Sequence, residues 1–367
     1  MSRSRWRSVS VLMLAACLSI GAAACGSSGS SDQVVSGSGT SDALVKAAQK
    51  EGTLTMYQAT SLDTTREWAQ AFTQKYGIKV VMKNAPAGNL VAEYEQEAGV
   101  HKNIADLLLL TDQVAMGKLQ SKDLLAKYVP SNDADYPAAI KSAGYYYPMY
   151  TTTDAIAYNT KTLTGSNLQL LLTQGLAALA NPVFQGKVAW IGPNGSPSID
   201  ALNYQVAEGS LKGELGWGFL QKLAQNKPKV YTAEPPMLSA LESGEYEVAY
   251  TLSESQLVPA INQGAPLRWL YPSTAVENTN GLGIAVGAPH PNAARLFMEW
   301  ATSPAAAASY SKITGAVAAN TKATDERSVV KDSWYKPPAA TWSNWGTDQA
   351  FLSDEQSFTS QWNKLFG

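Results

Sequence analysis

The stretch from Ala43 to Ala85 constrains the fold most, because its apolar spacing changes period three times within 43 residues. Ala43 to Glu51 reads as a short amphipathic helix that Gly52 ends. Leu54 to Tyr57 then alternates with the period of two expected of a strand. A polar turn, Gln58 to Asp63, offers Ser61 or Asp63 as the N-cap of a second helix. That helix sets Trp68, Ala71, Phe72 and Tyr76 at helical spacing and stops at Gly77, before a strand over Ile78 to Met82. The result is a βαβ unit. Its polar turn falls at the carboxyl end of the first strand, where open α/β sheets bind ligands.

The α/β pattern continues along the chain. Asn89 to Ala98 reads as a helix, and Ala105 to Thr111 as a buried parallel strand. Val114 to Leu125 reads as a helix, and Tyr145 to Tyr150 and Ala155 to Asn159 as two strands. A second set follows: helix Leu168 to Leu179, strand Gly186 to Ile191, a turn over Gly192 to Ser198, helices Ile199 to Gly209 and Trp217 to Ala224, helix Pro236 to Glu242 and strand Tyr246 to Leu252. Leu267 to Tyr271 and Gly281 to Val286 are further strands, and Asn292 to Ala301 is a helix.

Composition bounds the function. The 367 residues are 45% hydrophobic and 16% charged, enough for two lobes with substantial cores. The formal net charge is −2 and there is no basic patch by composition, so no nucleic-acid partner is expected. Two histidines, His101 and His290, give little material for a histidine metal site or a Ser-His-Asp enzyme. The sequence carries neither His-Glu-x-x-His nor Gly-x-Ser-x-Gly.

The N-terminus has the form of a secretory signal: Arg3, Arg5 and Arg7, an apolar run from Val9 to Ile20, then Ala22-Ala23-Ala24. Removing residues 1–24 leaves 25 basic against 30 acidic residues, a net charge of −5. Cleavage before Cys25 makes that cysteine the lipidation site expected of a bacterial lipoprotein, although Ala22 stands where Leu is commonest. An ordinary Ala-x-Ala cleavage at the same bond is the competing reading, which would release the protein. The Gly- and Ser-rich run from Gly26 to Thr40 suits a membrane tether. Cys17 falls in the leader, so no intramolecular disulfide is expected.

The opening Leu-Val-Lys-Ala-Ala-Gln-Lys-Glu-Gly-Thr-Leu-Thr-Met-Tyr (44–57), followed by Ala-Phe-Thr-Gln-Lys-Tyr-Gly-Ile-Lys-Val (71–80), resembles the start of a bacterial extracellular solute-binding protein of an ABC importer. The nearest likeness is to the ferric-iron-type branch. Asp-Ala-Ile-Ala-Tyr-Asn-Thr-Lys-Thr-Leu (154–163) is similar to that family's crossover between lobes. Ala-Leu-Glu-Ser-Gly-Glu-Tyr-Glu-Val-Ala-Tyr (240–250) and Pro291 to Pro304 are similar to later family segments. The resemblance runs from Leu44 to about Asn320, and the Trp-rich tail from Ser333 fits it less well.

The resemblance implies an α/β, two-lobe periplasmic-binding-protein-like fold of type II, with mixed sheets flanked by helices and a hinge. Residues 43–147 and 271–318 are expected in lobe 1, and 148–270 and 319–367 in lobe 2. It implies a non-enzyme without a cofactor, a monomer anchored outside the membrane through Cys25, with a permease and an ATPase as partners. Four polar turns should face the cleft: Tyr57 to Asp63, Thr111 to Gln113, Asn194 to Ser198 and Thr251 to Ser255. Candidate ligand-binding residues are Tyr57, Thr60, Ser61, Asp112, Ser196, Glu234, Ser253 and Glu254. Each has a bland counterpart, since Ser61 and Ser198 can be simple caps, and Tyr57, Tyr145 and Trp190 can be core aromatics. The family implies a ferric-ion carboxylate at Asp112, but its paired tyrosines are replaced by Ser253-Glu254-Ser255, and Ser61 stands near its histidine. Asp112, Glu254 and Glu234 would instead favour a cationic or polyhydroxylated organic solute, with ferric iron kept open by the family. The alternative from another class is a secreted cell-envelope glycoside hydrolase using Asp112 and Glu254 as its two carboxylates. A surface adhesin is a third, weakened by the lack of repeats.

Overall fold

The structure is a computed structural model that describes residues 35–37, 39–111, 113–193, 197–209, 215–272, 277–337 and 349–367. The leader, Cys17, Cys25 and most of the tether lie outside the described residues, as do Asp112 and Ser196. A short strand β1 (Val35–Ser36) precedes α1 (Asp42–Glu51), which begins at a Ser41 cap accepting from the Leu44 N–H and ends at Gly52 in the left-handed region. Then come β2 (Thr53–Gln58), α2 (Leu62–Tyr76), β3 (Lys79–Asn84), α3 (Ala87–Gly99) and β4 (Leu107–Leu110). Next are α4 (Gln113–Ser121), β5 (Leu125–Ala126), β6 (Tyr128–Val129) and β7 (Tyr146–Tyr147). The long β8 (Tyr150–Asn159) leads to α5 (Gly165–Gln174), β9 (Val188–Ile191), α6 (Pro197–Ala207), α7 (Trp217–Gln225) and β10 (Lys229–Tyr231). The chain continues through α8 (Glu234–Ser243), β11 (Val248–Ser253), α9 (Glu254–Asn262), β12 (Leu267–Leu270), β13 (Glu277–Thr279) and β14 (Gly281–Ala285). It ends with α10 (Pro291–Ala301), α11 (Pro304–Thr314), β15 (Val317–Ala318) and α12 (Gln349–Phe366).

Two mixed sheets organise these elements, as the α/β reading expects. In the first, β3, β2 and β4 run parallel and β14 is antiparallel to β4, with β5 and β7 on β14. Leu107 and Leu109 enter a core on one face, while Leu108 and Leu110 enter a second core on the other. A strand buried on both faces explains the unbroken apolar run. The second sheet has the order β10-β9-β11-β8-β12, with β13 and β15 also pairing with β8. Trp190 and Tyr250 sit in the core that α12 covers through Phe351, Phe358 and Trp362, and α8 and α9 cover the opposite face through Met237, Leu241 and Leu257.

Several boundaries differ from the sequence expectation. The helix expected over Val114 to Leu125 stops at Ser121, because Asp123 takes a φ of +56° and Leu125 and Ala126 pair with β14. Tyr145 to Tyr150 is not one strand; only Tyr146–Tyr147 pair with β14, and Tyr150 already begins β8. Tyr146 and Tyr147 do enter different cores, as alternation requires. Ala71 faces solvent, and the neighbouring Ala69 takes the buried place on α2. The helix expected over Leu168 to Leu179 closes at Gln174 and gives way to 3₁₀ turns.

Trp68 anchors the first lobe. It is fully buried, stacks on Tyr310 at 4.2 Å between ring centres, meets Trp300 and Phe297, and donates from Nε1 to the Ala306 carbonyl at 2.9 Å. It thereby fixes α11 against α2. Trp68→Ala should cost about 3–5 kcal/mol in urea unfolding through the cavity it leaves. A loss below about 1 kcal/mol would mean that α11 is held by other contacts.

Candidate functional site

Strand ends and helix starts converge between the two sheets. Gln58 ends β2, and the turn that follows presents Ala59, Thr60, Ser61 and Thr64 to a cleft of roughly 530 Å³. Thr111, after β4, and Tyr150, Tyr310 and Thr314 extend the same wall. Ser255, Gln256, Pro259, Ala260 and Gln263 of α9 and Leu238 and Glu242 of α8 face them. Among the described residues that line this cleft none is basic, and Glu242 is the acid. The volume suits a small organic molecule.

The turn is held by its own hydroxyls. Thr60 donates from Oγ1 to Gln58 Oε1 at 2.7 Å and also stands 2.7 Å from Thr65 Oγ1, while Asn84 donates from Nδ2 to the Gln58 and Thr60 carbonyls at 3.0 Å each. Ser61 occupies the N-cap position of α2, yet its side chain makes no cap hydrogen bond, and neither does that of Ser253 at the start of α9. The first N–H groups of a helix have no intrahelical acceptor. Both helix starts therefore present backbone N–H groups without a side-chain cap, beside lining residues Thr64 and Ser255.

The second sheet's cleft-facing edge is polar and constrained. β11 carries a bulge between Tyr250 and Leu252, with Thr251 at a φ of +72°. A β-branched residue rarely adopts that region. The Ile191 N–H donates to its Oγ1 at 3.1 Å, which ties β9 to the bulge. Just beyond, the Ser253 N–H donates to Glu234 Oε1 at 3.0 Å and Ser253 Oγ to Oε2 at 3.4 Å. Ser253 pairs in register with Asp154 of β8. Asp154 is 3% exposed, and burial, reinforced by the neighbouring Glu234 charge, pushes its carboxyl up to about 8.

The candidate residues thus separate. Thr60 and Ser61 line the cleft, whereas Glu234 is hydrogen-bonded to Ser253, whose Oγ stands 3.0 Å from that of the lining residue Ser255. Two others require correction. Tyr57 is 1% exposed, packs in the core between β2 and α3, and donates its hydroxyl to Glu97 Oε1 at 2.5 Å, so it is a core residue. Glu254 was expected to charge the cleft, but it is fully buried, where it accepts from Tyr271 and pairs with Arg327, itself 1% exposed. Burial raises the Glu254 carboxyl against the opposing pull of Arg327. Trp190 is likewise core, donating to Asn203 Oδ1 at 2.7 Å. Asp112 and Ser196 lie outside the described residues. Among the described residues no group of three or more His, Cys, Asp and Glu could hold a metal ion.

Sequence reasoning missed Tyr310, Gln256, Asp154 and Arg327. Asp154 had a usable signal, an acid inside a threonine- and alanine-rich strand. Arg327 had none, since its partner Glu254 lies 73 residues away. Arg327 also donates to the Gly315 carbonyl at 3.2 Å, to Asp325 and to the Tyr335 hydroxyl. Gly315 closes α11 at a φ of +76°, where a Cβ would stand 2.8 Å from the Val258 Cβ of α9. The guanidinium therefore joins two helices that both line the cleft.

A ligand-sized cleft between two α/β sheets, walled by helix starts and strand ends, defines a two-lobed solute-binding receptor. The chain belongs to the bacterial extracellular solute-binding proteins, whose family model matches residues 54–312. An Fe(3+)-binding periplasmic protein of Serratia marcescens is 22% identical over 266 residues, which cover 70% of this chain and 75% of that one. Iron-bound HitA of Pseudomonas aeruginosa is similar in structure, with a TM-score of 0.61 at 20% identity over 84% of this chain and 99% of the other. The periplasmic binding protein AfuA of Actinobacillus pleuropneumoniae, with exogenous fructose-6-phosphate bound, has a TM-score of 0.61 at 19% identity over 86% of this chain and 99% of the other.

Arg327→Ala would strand the Glu254 charge in the interior and should cost about 3–5 kcal/mol at neutral pH. An acid whose folded pKa lies above its unfolded value, about 4.3, destabilises the fold while ionised. The deficit relative to the parent should therefore shrink as pH falls towards about 4 in urea titrations. A deficit independent of pH would show that Glu254 does not carry it.

Proposed function

We propose that this protein captures a hydroxyl-bearing organic solute outside the membrane and delivers it to the permease and ATPase of an ABC importer. The observation that carries this reading is the cleft lining. Thr60, Ser61, Thr64 and Tyr310 on one side and Ser255, Gln256 and Gln263 on the other offer hydroxyls and amides that can both donate and accept. Uncapped starts of α2 and α9 add backbone donors. Such a surface matches a ligand that presents many hydroxyls. A phosphorylated solute, as held by the AfuA relative, would meet no basic side chain among the described lining residues. Ferric iron is named for the Serratia relative and iron for the Pseudomonas one; a bare ferric ion prefers several anionic oxygens, and among the described residues that line the cleft Glu242 supplies one carboxylate. Capture requires no chemistry, so the protein acts as a receptor and not as an enzyme. Closure of the lobes about the shared strand region would follow from contacts made only in the closed form. Cys25, when lipidated, would hold the receptor at the outer face of the membrane as a monomer. The glycoside hydrolase reading has no support in family or fold, and Glu254, one of its two acids, is paired with Arg327 in the interior.

Thermal-shift and calorimetric titration with hexoses, sugar alcohols, amino sugars, polyamines, sugar phosphates and ferric citrate tests the reading. A hydroxyl-bearing compound should stabilise the chain by about 2.7 kcal/mol at a hundredfold excess over its Kd. Gln256→Ala should weaken it about tenfold, the order of one lost hydrogen bond. Stabilisation by ferric citrate alone, unchanged in Gln256→Ala, would overturn the reading.

A further inference from the structure

Asp154 and its surroundings are built for something the hydroxyl lining does not explain. Asp154 lies on the same face of the second sheet as Ile156, two residues along β8, and Ile156 pairs in register with Tyr250. The Tyr250 side chain is fully buried, and its hydroxyl has no hydrogen-bond partner among the described residues. Tyr250 and Asp154 thus share a face of the sheet one step apart in register, and the Asp154 charge raises the phenol's pKa further. Thr153 Oγ1, also buried, is equally without a partner. Asp154 itself accepts from Asn278 Nδ2 at 3.3 Å, and among the described residues no lysine or arginine pairs with it. Glu234 stands beside it at the start of α8, its charge felt at Asp154 and its oxygens shared with Ser253. The groups facing Asp154 are therefore Glu234 from α8, Tyr250 from β11, Asn278 from β13 and, further off, Glu254 from α9 already matched by Arg327.

Two carboxyls with no local cation make a site short of positive charge, beside a buried phenol oxygen free to accept. A water molecule would supply donors without the charge, and a guanidinium would need a planar, two-pronged acceptor. A primary ammonium supplies one charge and three donors from a single compact centre. We propose that Asp154 and Glu234 form a subsite for a protonated primary amine on the captured solute, with the Tyr250 hydroxyl as a third acceptor. This rests on the solute-receptor reading and narrows its cargo to an amine that also bears hydroxyls. Binding converts the Asp154 acid to its carboxylate and releases its proton. Affinity for the amine therefore rises with pH towards about 8, up to tenfold per unit, and flattens above it.

The test follows the Asp154 carboxyl carbon by NMR in the full chain labelled with ¹³C-aspartate, assigned with Asp154→Asn. It is titrated in methylammonium chloride, with tetramethylammonium chloride and potassium chloride as matched salts. The Asp154 midpoint should fall by about one unit or more in saturating methylammonium, a tenfold preference for the carboxylate. It should stay put in tetramethylammonium, which has no N–H, and Glu234→Gln should remove most of the response. An equal midpoint in all three salts overturns the subsite, and an equal fall in potassium overturns its amine chemistry. The same sample titrated with sugar alcohols separates the two readings. A polyol response without a methylammonium response sinks the amine subsite alone, and the converse sinks the hydroxyl-solute reading alone.

Discussion

The buried contact of Arg327 with Glu254 is the interaction on which the cleft depends. Glu254 is the first residue of α9, and Gly315, whose carbonyl also accepts from Arg327, closes α11. Both helices carry lining residues, so their spacing sets the width of the cleft. A buried ion pair gains little net stability, because desolvation of both charges offsets most of their attraction. Its effect is geometric: with Asp325, Tyr335 and Tyr271 also engaged, few arrangements satisfy every donor and acceptor. The pair also removes a negative charge from the start of α9, so its N–H groups remain the dominant dipolar feature there.

Against that fixed frame the two edges of the cleft differ in chemistry. The first-sheet side is a turn of hydroxyls closed on itself through Gln58, Thr60, Thr65 and Asn84. On the second-sheet side Glu234 opens α8 and bonds Ser253, Asp154 lies within β8 in register with Ser253, and Thr251 holds a strained bulge in β11. Strain of that kind persists where surrounding contacts over-determine it, and here β9 does so through the Ile191 N–H. One edge suits hydroxyls and the other suits a cation.

The fold was largely legible because local pattern and tertiary burial agree over the first βαβ unit. Gly52 and Gly77 end their helices in the left-handed region, and β4 is apolar throughout because both its faces are covered. Legibility failed where a distant partner decided the outcome. Leu124 and Leu125 continue the helical spacing of α4, yet pairing with β14 draws Leu125 into the first sheet. Glu254 follows a strand and opens a helix as a cleft acid would, but an arginine 73 residues later claims it. Tyr57 ends an alternating strand beside the cleft turn, but its ring packs into the core and its hydroxyl is taken by Glu97 on α3. Thr60 and Ser61 were readable because a turn at a strand end faces the cleft whatever its neighbours are.

The central claim is that the space between the sheets holds a polar organic solute. Mass spectrometry of what the folded chain retains from a growth extract after exhaustive dialysis tests it most directly, with metal and organic content measured on one sample. The account predicts about one hydroxyl-bearing amine per chain, reduced in Gln256→Ala and in Glu234→Gln, with iron well below one per chain. Stoichiometric iron without an organic solute, undiminished in both variants, would contradict it.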